Sequence, residues 1–376
     1  MGENVVVTGL GMLTPLGGSA DEVLTRIGRG ETAATPIPWR DAGFACPVYA
    51  AIANLLPEEH VHEPKTIRLM SRDAILAVGA ARRAMRDANL AIGRDCAGDE
   101  IGLFGATGLA GMALSEITRL VEAAADSRGG FDLKRFGAVA LKQVRPVLSF
   151  KILSNMPLCF VSIFEGVQGV NAVYNPWEGQ GAHAIAAAIG AIRCGDAVCA
   201  LAGGCDVKTH ELGFLALEQA GVFESWRNSR SGCVPGEGAA FVVIENEDRA
   251  VSRGASIYAR IRSFQVRTIS RSAPGVDDCA EMYRRVNLRS VEAVVAADDG
   301  NPPLAQAETG GMEQAEIADK LRVRPKRHVG NLFAGAAAVQ LALAAALAER
   351  MPKGAAVLAN CFGFGSEQGV FVLESP

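Results

Sequence analysis

The segment Val329 to Ala348 runs for 20 residues without a charged side chain, a length sufficient to cross a membrane as a helix. Most of it is alanine and glycine, which contribute little to insertion into a bilayer, and it includes Asn331 and Gln340. A helix that is apolar on every side is otherwise found in the core of a large protein. The segment therefore predicts a buried helix, covered on all sides, and no membrane span.

The rest of the chain alternates short β-rich runs with helical periodicity, which is typical of an α/β core. A nearly all-apolar helix is predicted at 182–193, a long amphipathic helix at 66–89 and a third helix at 332–350. The charged stretch Glu245 to Arg253 separates two such sets, which suggests two related halves although no repeat of fixed period is visible. The predicted strands are 5–8, 101–105, 197–202, 239–244, 257–264, 293–297, 355–358 and 370–373.

Composition excludes several classes of protein. The 376 residues are 49% hydrophobic and 21% charged, as in an ordinary globular chain, and a net charge of -4 provides no basic surface for nucleic acid. The first residues lack both a basic leader and a long apolar stretch, so no signal peptide is predicted. Nine cysteines without framework spacing fit a reducing compartment, and we expect a cytoplasmic protein.

Three short motifs do not support a site. The glycines at Gly9 and Gly11 lack the third glycine of a dinucleotide-binding loop, and Pro15 lies where the helix should begin. Cys194, Cys199 and Cys205 do not have the spacing of a zinc site, and the five histidines form no helical ligand pair. We therefore expect no metal and no bound cofactor.

The informative segment is Gly169 to Ile185, which predicts a strand, a sharp glycine-rich turn and an alanine-rich helix. At such an elbow the free N–H groups and the helix dipole stabilise negative charge, so many α/β enzymes place a nucleophile there. This chain has Glu178 at that point. A carboxylate is a poor nucleophile for acyl transfer.

With these features the chain resembles the β-ketoacyl-acyl-carrier-protein synthases, the condensing enzymes of fatty-acid and type II polyketide synthesis. The resemblance implies a thiolase-like fold of two similar α/β halves, 1–247 and 248–376, in a five-layered α-β-α-β-α core. It rests on the opening strand and loop Val5 to Gly17, LAGG at Leu201 to Gly204, GEGAA at Gly236 to Ala240, and NCFGFG at Asn360 to Gly365.

The chain departs from this family at its catalytic positions. Glu178 replaces the cysteine nucleophile, Asp298 or Asp299 replaces the first histidine, and Asn331 replaces the second, while His328 lies three positions too early. Lys326, Phe362 and Phe364 match retained family motifs. Glu178 has two interpretations: it fills the vacated pocket and accepts hydrogen bonds from helix N–H groups, or it decarboxylates acyl groups. Cys205 and Cys361 are expected to be buried thiols.

The resemblance therefore implies a chain-length factor, the silent subunit that pairs with an active ketosynthase and shapes its acyl tunnel. Its partners would be that ketosynthase and an acyl carrier protein, which brings the phosphopantetheine. The alternatives are a stand-alone acyl-thioester decarboxylase or hydrolase using Glu178, and a purely structural subunit. After Ala106-Thr107-Gly108, the family pattern places the tunnel lining at Ala110, Met112, Ala113 and Ile117, small or flexible residues that suit an extended polyene or reduced chain.

Overall fold

A computed structural model describes residues 4–37, 49–61, 63–109, 114–144, 147–229 and 231–376. The strands are β1 Val5–Leu13, β2 Ala34–Pro36, β3 Tyr49–Ala51, β4 Ile101–Thr107, β5 Asn171–Tyr174, β6 Cys199–Val207, β7 Glu237–Asn246, β8 Ala259–Thr268, β9 Val291–Val295, β10 Leu321–Val323, β11 Ala356–Cys361 and β12 Glu367–Glu374. The helices are α1 Ala20–Gly28, α2 Pro57–His60, α3 Pro64–Ile67, α4 Arg72–Asp87, α5 Leu114–Ala124, α6 Leu133–Arg135, α7 Leu148–Ile152, α8 Met156–Glu165, α9 Glu178–Cys194, α10 Glu211–Gln219, α11 Glu224–Ser229, α12 Glu247–Ser252, α13 Val276–Arg284, α14 Pro302–Gln314, α15 Lys326–Val329 and α16 Ala336–Glu349.

Two sets of five strands have the same order and the same directions. The first set runs β5-β4-β6-β7-β1 and the second β10-β9-β11-β12-β8, so each has its third, second, fourth, fifth and first strand in that sequence. In both sets the first three strands of this order are parallel and the last two pairings are antiparallel. The sets join through a short antiparallel pairing, Val6 with Arg260 and Val7 with Ala259.

The side chains of each set alternate between two apolar layers, as the period of a strand requires. In β7, Ala240, Val242 and Ile244 pack in the central core with α9 and α16, whereas the intervening residues pack against α4. In β12, Phe371 and Leu373 belong to the central core, and Val370 and Val372 contact α13 and α14. The helices α9 and α16 thus lie between the two sheets, and the fold is thiolase-like.

The opening strand explains the glycines that resemble a nucleotide motif. Gly9 and Gly11 lie within β1, and a methyl group at Gly11 would come 2.1 Å from the carbonyl oxygen of Ala80 in α4. A methyl group at Gly9 would lie 2.3 Å from the carbonyl oxygen of Ala84. These glycines let α4 pack directly on the strand backbone.

Two of the predicted helices differ in extent from those observed. The helix predicted at 66–89 is wrong in its first turns: α3 ends at Ile67, and α4 begins at Arg72 after Ser71 adopts an extended conformation. The helix predicted at 332–350 begins only at Ala336, after a short 3₁₀ turn at Phe333–Gly335. In both cases a local turn interrupts an apolar pattern that continues through it.

The long uncharged segment is confirmed as core. From Ala336 to Ala346 every residue of α16 is buried, and Gln340 donates to the carbonyl oxygens of Ala296 and Asn360. Within the described ranges, no helix has the length and hydropathy needed to cross a membrane. The division of the chain at residue 247 stays a prediction.

We predict that Gly179→Ala lowers the free energy of unfolding by roughly 1–3 kcal/mol, because a methyl group there would lie 1.8 Å from the carbonyl oxygen of Glu367. Gly190→Ala on the same helix meets no atom within 4 Å and should raise it by about 0.5–1 kcal/mol. Urea unfolding of both variants measures the difference. Equal effects would contradict close packing of α9 on β12.

Candidate functional site

The first residue of α9 lies inside the molecule. After β5 ends at Tyr174, the chain turns, Trp177 caps the helix in an extended conformation, and Glu178 begins it. Because α9 lies between the two sheets, Glu178 is only 1% exposed. The predicted strand and helix are therefore confirmed, with Glu178 at the elbow. The prediction of a glycine-rich turn is wrong, because the turn is 175–177 and Gly179 and Gly181 lie in α9, which begins four residues before the predicted start at 182.

Three residues from two other segments bring polar groups to the surroundings of Glu178. The Nζ atom of Lys326 lies 3.3 Å from Glu178 Oε1 and donates to the carbonyl oxygen of Phe362 at 2.7 Å. Asn331 Nδ2 donates to Glu178 Oε1 and, at 3.0 Å, to Asp299 Oδ2. Glu178, Asp299, Lys326 and Asn331 form one buried unit, named below the Glu178 cluster.

The two adjacent aspartates have different surroundings. Asp299 faces inward. It accepts hydrogen bonds from Asn331 Nδ2 and, at 2.9 Å, from the backbone N–H group of Asn301. Asp298 faces the opposite way and accepts from Arg327 Nε at 2.8 Å, with Arg324 Nε at 3.3 Å. Asp299 is therefore the aspartate that belongs to the Glu178 cluster, while the choice of which aspartate replaces the first histidine stays a prediction.

Burial and the neighbouring charges shift the pKa values of Glu178 and Lys326. Burial raises the pKa of Glu178 above its ordinary value, and Lys326 opposes this shift while Asp299 reinforces it. Burial alone would lower the pKa of Lys326, but Glu178 and Asp299 outweigh it and the pKa is raised. Burial and Asp299 thus favour the neutral carboxyl group of Glu178, whereas Lys326 favours the carboxylate with which it pairs.

The loop Asn360 to Gly365 closes over the carboxyl group. A methyl group at Gly363 would lie 1.9 Å from Glu178 Oε2, an oxygen with no hydrogen-bond partner among the described residues. Phe362 is fully buried, and the ring of Phe364 meets the Trp177 ring edge-on with centroids 4.9 Å apart. Glu178 therefore lies buried beneath this loop, and its hydrogen-bond donors among the described residues are Asn331 and Lys326, where helix N–H groups were expected.

Sequence reasoning missed two buried polar groups near the site. Glu308 on α14 accepts from the backbone N–H groups of Ala297 and Asp298 and from Asn360, which holds the backbone before Asp299. Its pKa is raised by burial. Lys208 pairs with Asp206 and lies over the rings of Trp177 and Phe333. Neither group belongs to a motif. The contact of Glu308 with Asn360, and those of Lys208 with Trp177 and Phe333, join segments distant in sequence, so they become visible only in the folded chain.

Other predicted residues lie apart from the Glu178 cluster. His328 contacts the carbonyl oxygen of Glu31 through Nδ1, on the outer side of α15. Cys205 and Cys361 are buried, as predicted. Ile117 is half-buried on α5. The predicted tunnel residues Ala110, Met112 and Ala113 lie outside the described residues.

Exposed apolar side chains are concentrated in one part of the described chain. Among the described strands, the edge strand β5 pairs with β4 alone, and α8 beside it exposes 71% of Ile163. A cavity of about 330 Å³ opens between α8 and β5. The exposed residues between 109 and 170 are Leu109, Leu114, Val121, Phe131, Leu133, Val139, Leu141, Phe150, Ile152, Leu153, Ile163 and Val170. We call them the apolar surface.

Residues 2–250 match the model of the β-ketoacyl synthase N-terminal domain. The chain belongs to the β-ketoacyl synthase family. It is 28% identical over 273 residues to 3-oxoacyl-[acyl-carrier-protein] synthase 2 of Staphylococcus aureus, a match that covers 70% of this chain and 62% of that protein. The matched region thus spans about three-fifths of the length of this curated relative.

Two solved structures share the fold over almost the whole chain. One is the ishigamide ketosynthase/chain length factor, with a TM-score of 0.79, 20% identity and 99% of each chain covered. The other is a type II PKS acyl-carrier protein in complex with its ketosynthase bound to the hexaketide, with a TM-score of 0.76, 17% identity and 99% of each chain covered. At these identities the likeness concerns the fold.

We predict that Glu178→Ala lowers the free energy of unfolding by about 3–5 kcal/mol, because it leaves the Lys326 ammonium buried without its nearest carboxyl group. Chemical denaturation measures the loss. Glu281→Ala is the control, since that carboxylate pairs with Arg284 and Arg285 on the surface of α13 and should change stability little. Similar losses for the two variants would contradict the ion pair.

A second prediction concerns pH. Since the folded protein raises the pKa of Glu178 above its ordinary value of 4.5, the stability from its protonated form is present below that value and is lost as pH rises through the folded pKa. Glu178→Gln cannot ionise and should therefore lose less stability than the unchanged protein between about pH 5 and pH 8. Unfolding free energies across this range test it; parallel pH profiles would contradict the shift.

Proposed function

We propose that this chain is a catalytically silent ketosynthase homologue that acts as a chain-length factor in type II polyketide synthesis. The observation that supports it is the Glu178 cluster, which occupies all three positions where the family resemblance expects a cysteine and two histidines. Condensation needs a thiolate to hold the acyl chain and imidazoles to polarise the malonyl carbonyl. Glu178, Asp299 and Asn331 supply neither.

The closed geometry of the cluster disfavours the alternative of a stand-alone decarboxylase or hydrolase. A general base must come within hydrogen-bond reach of its substrate. Glu178 is instead buried beneath Gly363, with one oxygen held by Asn331 and Lys326. An acyl thioester could reach it only if the loop at Asn360–Gly365 moved away.

The proposed partner is a catalytically intact ketosynthase bound at the apolar surface. A large exposed apolar patch on a soluble protein marks an interaction site, and an unpaired edge strand offers further backbone hydrogen bonds. Both features occur together at β5 and α8. The relatives named above support this pairing, since one is a ketosynthase/chain length factor.

The acyl carrier protein is the second proposed partner, and it would bring phosphopantetheine as its own prosthetic group. Support comes from the similar structure in which a type II acyl-carrier protein is bound to its ketosynthase. Carrier proteins of this family are acidic, so docking mostly on the active subunit fits the net charge of -4 of the present chain.

The proposed tunnel lining is Ala110, Met112, Ala113 and Ile117, and its small or flexible side chains would leave space for an extended acyl chain. In the described part of this region, Gly108 follows β4 and α5 begins at Leu114 with Ile117 half-buried. Two described residues that flank it in sequence, Leu109 and Leu114, belong to the apolar surface proposed to meet the partner.

We expect this chain, tagged and co-expressed with an intact ketosynthase, to purify as a stoichiometric complex that elongates malonyl groups, while the isolated chain has no activity. Replacing the partner's catalytic cysteine should abolish elongation, whereas Glu178→Gln should preserve it. Product formation is read by mass spectrometry. Acyl-thioester decarboxylation or hydrolysis by the isolated chain, lost in Glu178→Gln, would overturn the proposal.

The partner surface has a separate test. Ile163→Lys should weaken the complex by at least about tenfold, because it would bury an unpaired charge in the interface. Val251→Lys is the matched control: it is 63% exposed on α12, outside the apolar surface, and should leave affinity unchanged. Biolayer interferometry with the immobilised ketosynthase compares them. Equal affinities would exclude α8 from the interface.

The tunnel is tested by product length. Ala110→Phe and Ala113→Phe should shorten the product of the reconstituted complex because each adds a ring to the proposed lining. Ser252→Phe adds a similar volume at an exposed position on α12 and should leave the product unchanged. An unchanged product from all three variants, with the complex intact, would favour the purely structural subunit.

A further inference from the structure

A cavity of about 560 Å³ lies on the opposite side of α15 from the Glu178 cluster. It is enclosed by the C-terminal part of α1, the edge strand β10, α15 and the end of α16. One wall is apolar and includes Leu24, Ile27 and Leu347. Its volume is within the range of small-molecule sites, about 300–1,000 Å³. None of the features used above for the proposed function includes this cavity.

The other wall is strongly basic. Arg322 lies on β10, Arg324, Arg327 and His328 follow it, and Arg350 ends α16. No aspartate or glutamate is among the described residues that line the cavity. The wall therefore contains four guanidinium groups. Each is planar and can donate two parallel hydrogen bonds to an anion.

The carboxylates around the cavity do not balance these charges. Arg324 and Arg327 share a single carboxylate, that of Asp298. Arg322 donates to two neutral acceptors, the Thr309 hydroxyl at 3.1 Å and the Ala318 carbonyl oxygen at 2.9 Å.

Arg350 pairs with Asp21, which is 76% exposed. Three of these four guanidinium groups therefore share two carboxylates, and Arg322 has no carboxylate among its described acceptors. Like charges held together in one cavity repel each other, and a bound anion removes that repulsion.

We propose that this cavity binds an organic phosphate, with the phosphate on Arg322 and its neighbouring arginines and the remainder against Leu24, Ile27 and Leu347. Arginine forks match the oxygen geometry of a phosphate, and a dianion compensates two guanidinium charges. The apolar wall and the volume favour a ligand larger than inorganic phosphate. A nucleotide and a phosphopantetheine group share this chemistry and are distinguished by experiment.

The test is isothermal titration calorimetry of the full chain at low salt with AMP, phosphopantetheine and octanoate. At least one of the two phosphates should bind with a Kd below about 1 mM, and octanoate should not. Arg322→Gln and Arg324→Gln should each weaken binding by about tenfold or more. Whichever of AMP and phosphopantetheine binds with the lower Kd identifies the class of phosphate compound that the cavity prefers.

Arg284→Gln is the matched control, because it removes the same charge from a residue bonded to Glu281 on its own helix. It should leave the Kd unchanged, and thermal melting confirms that each variant is folded. The proposal is overturned if neither phosphate binds, if octanoate binds as tightly, or if Arg284→Gln weakens binding as much as Arg322→Gln. These outcomes do not depend on whether the chain pairs with a ketosynthase.

Discussion

The structure depends on the burial of two helices that have no polar side. Because α9 and α16 are apolar around most of their circumference, each needs a sheet on both flanks, and two five-stranded sets provide them. The two sets share one strand order, and each set covers the apolar helices from one side. Small residues make the close approach possible: Gly181 of α9 faces Ala334 and Ala337 at the start of α16. The central layer is therefore rigid, and it determines where the ends of its helices lie.

Burial of α9 explains the chemistry of its first residue. A side chain at the start of this helix cannot reach solvent, so a carboxyl group there must be neutral or paired. Lys326, Asn331 and Asp299 meet this need from two segments of the second half, and Glu308 holds one of those segments through its backbone N–H groups. An ordinary condensing site needs an open path to its nucleophile. At Glu178 one carboxyl oxygen is held by Lys326 and Asn331, and the other lies against Gly363 without a hydrogen-bond partner among the described residues, which agrees with the proposed silent subunit.

Sequence reasoning predicted the features that periodicity and local motifs determine. The helices of the central layer, most strands and the elbow at Glu178 follow from apolar spacing and a glycine-rich segment. It failed where a turn interrupts an apolar pattern, as at 68–71, since propensity alone does not reveal that Ser71 is extended. It could not choose between Asp298 and Asp299, because the directions in which two adjacent loop side chains point depend on the backbone conformation. Glu308 was missed for a similar reason: its carboxyl oxygens accept hydrogen bonds from backbone N–H groups of another segment.

Of the two segments that complete the Glu178 cluster, the one that carries Lys326 also lines the basic cavity through Arg327 and His328. Lys326 and Asp299 face inward, while their immediate neighbours Arg327 and Asp298 pair on the outer side. An anion that competes with Asp298 for Arg327 would therefore act on the backbone that positions Asp299 and Lys326. The Glu308 hydrogen bonds to Ala297 and Asp298 oppose such movement, since they fix the loop from within. Arg322 donates to Thr309 and Ala318 and to neither of these segments, so an anion bound at Arg322 alone would leave the pairing of Arg327 with Asp298 in place.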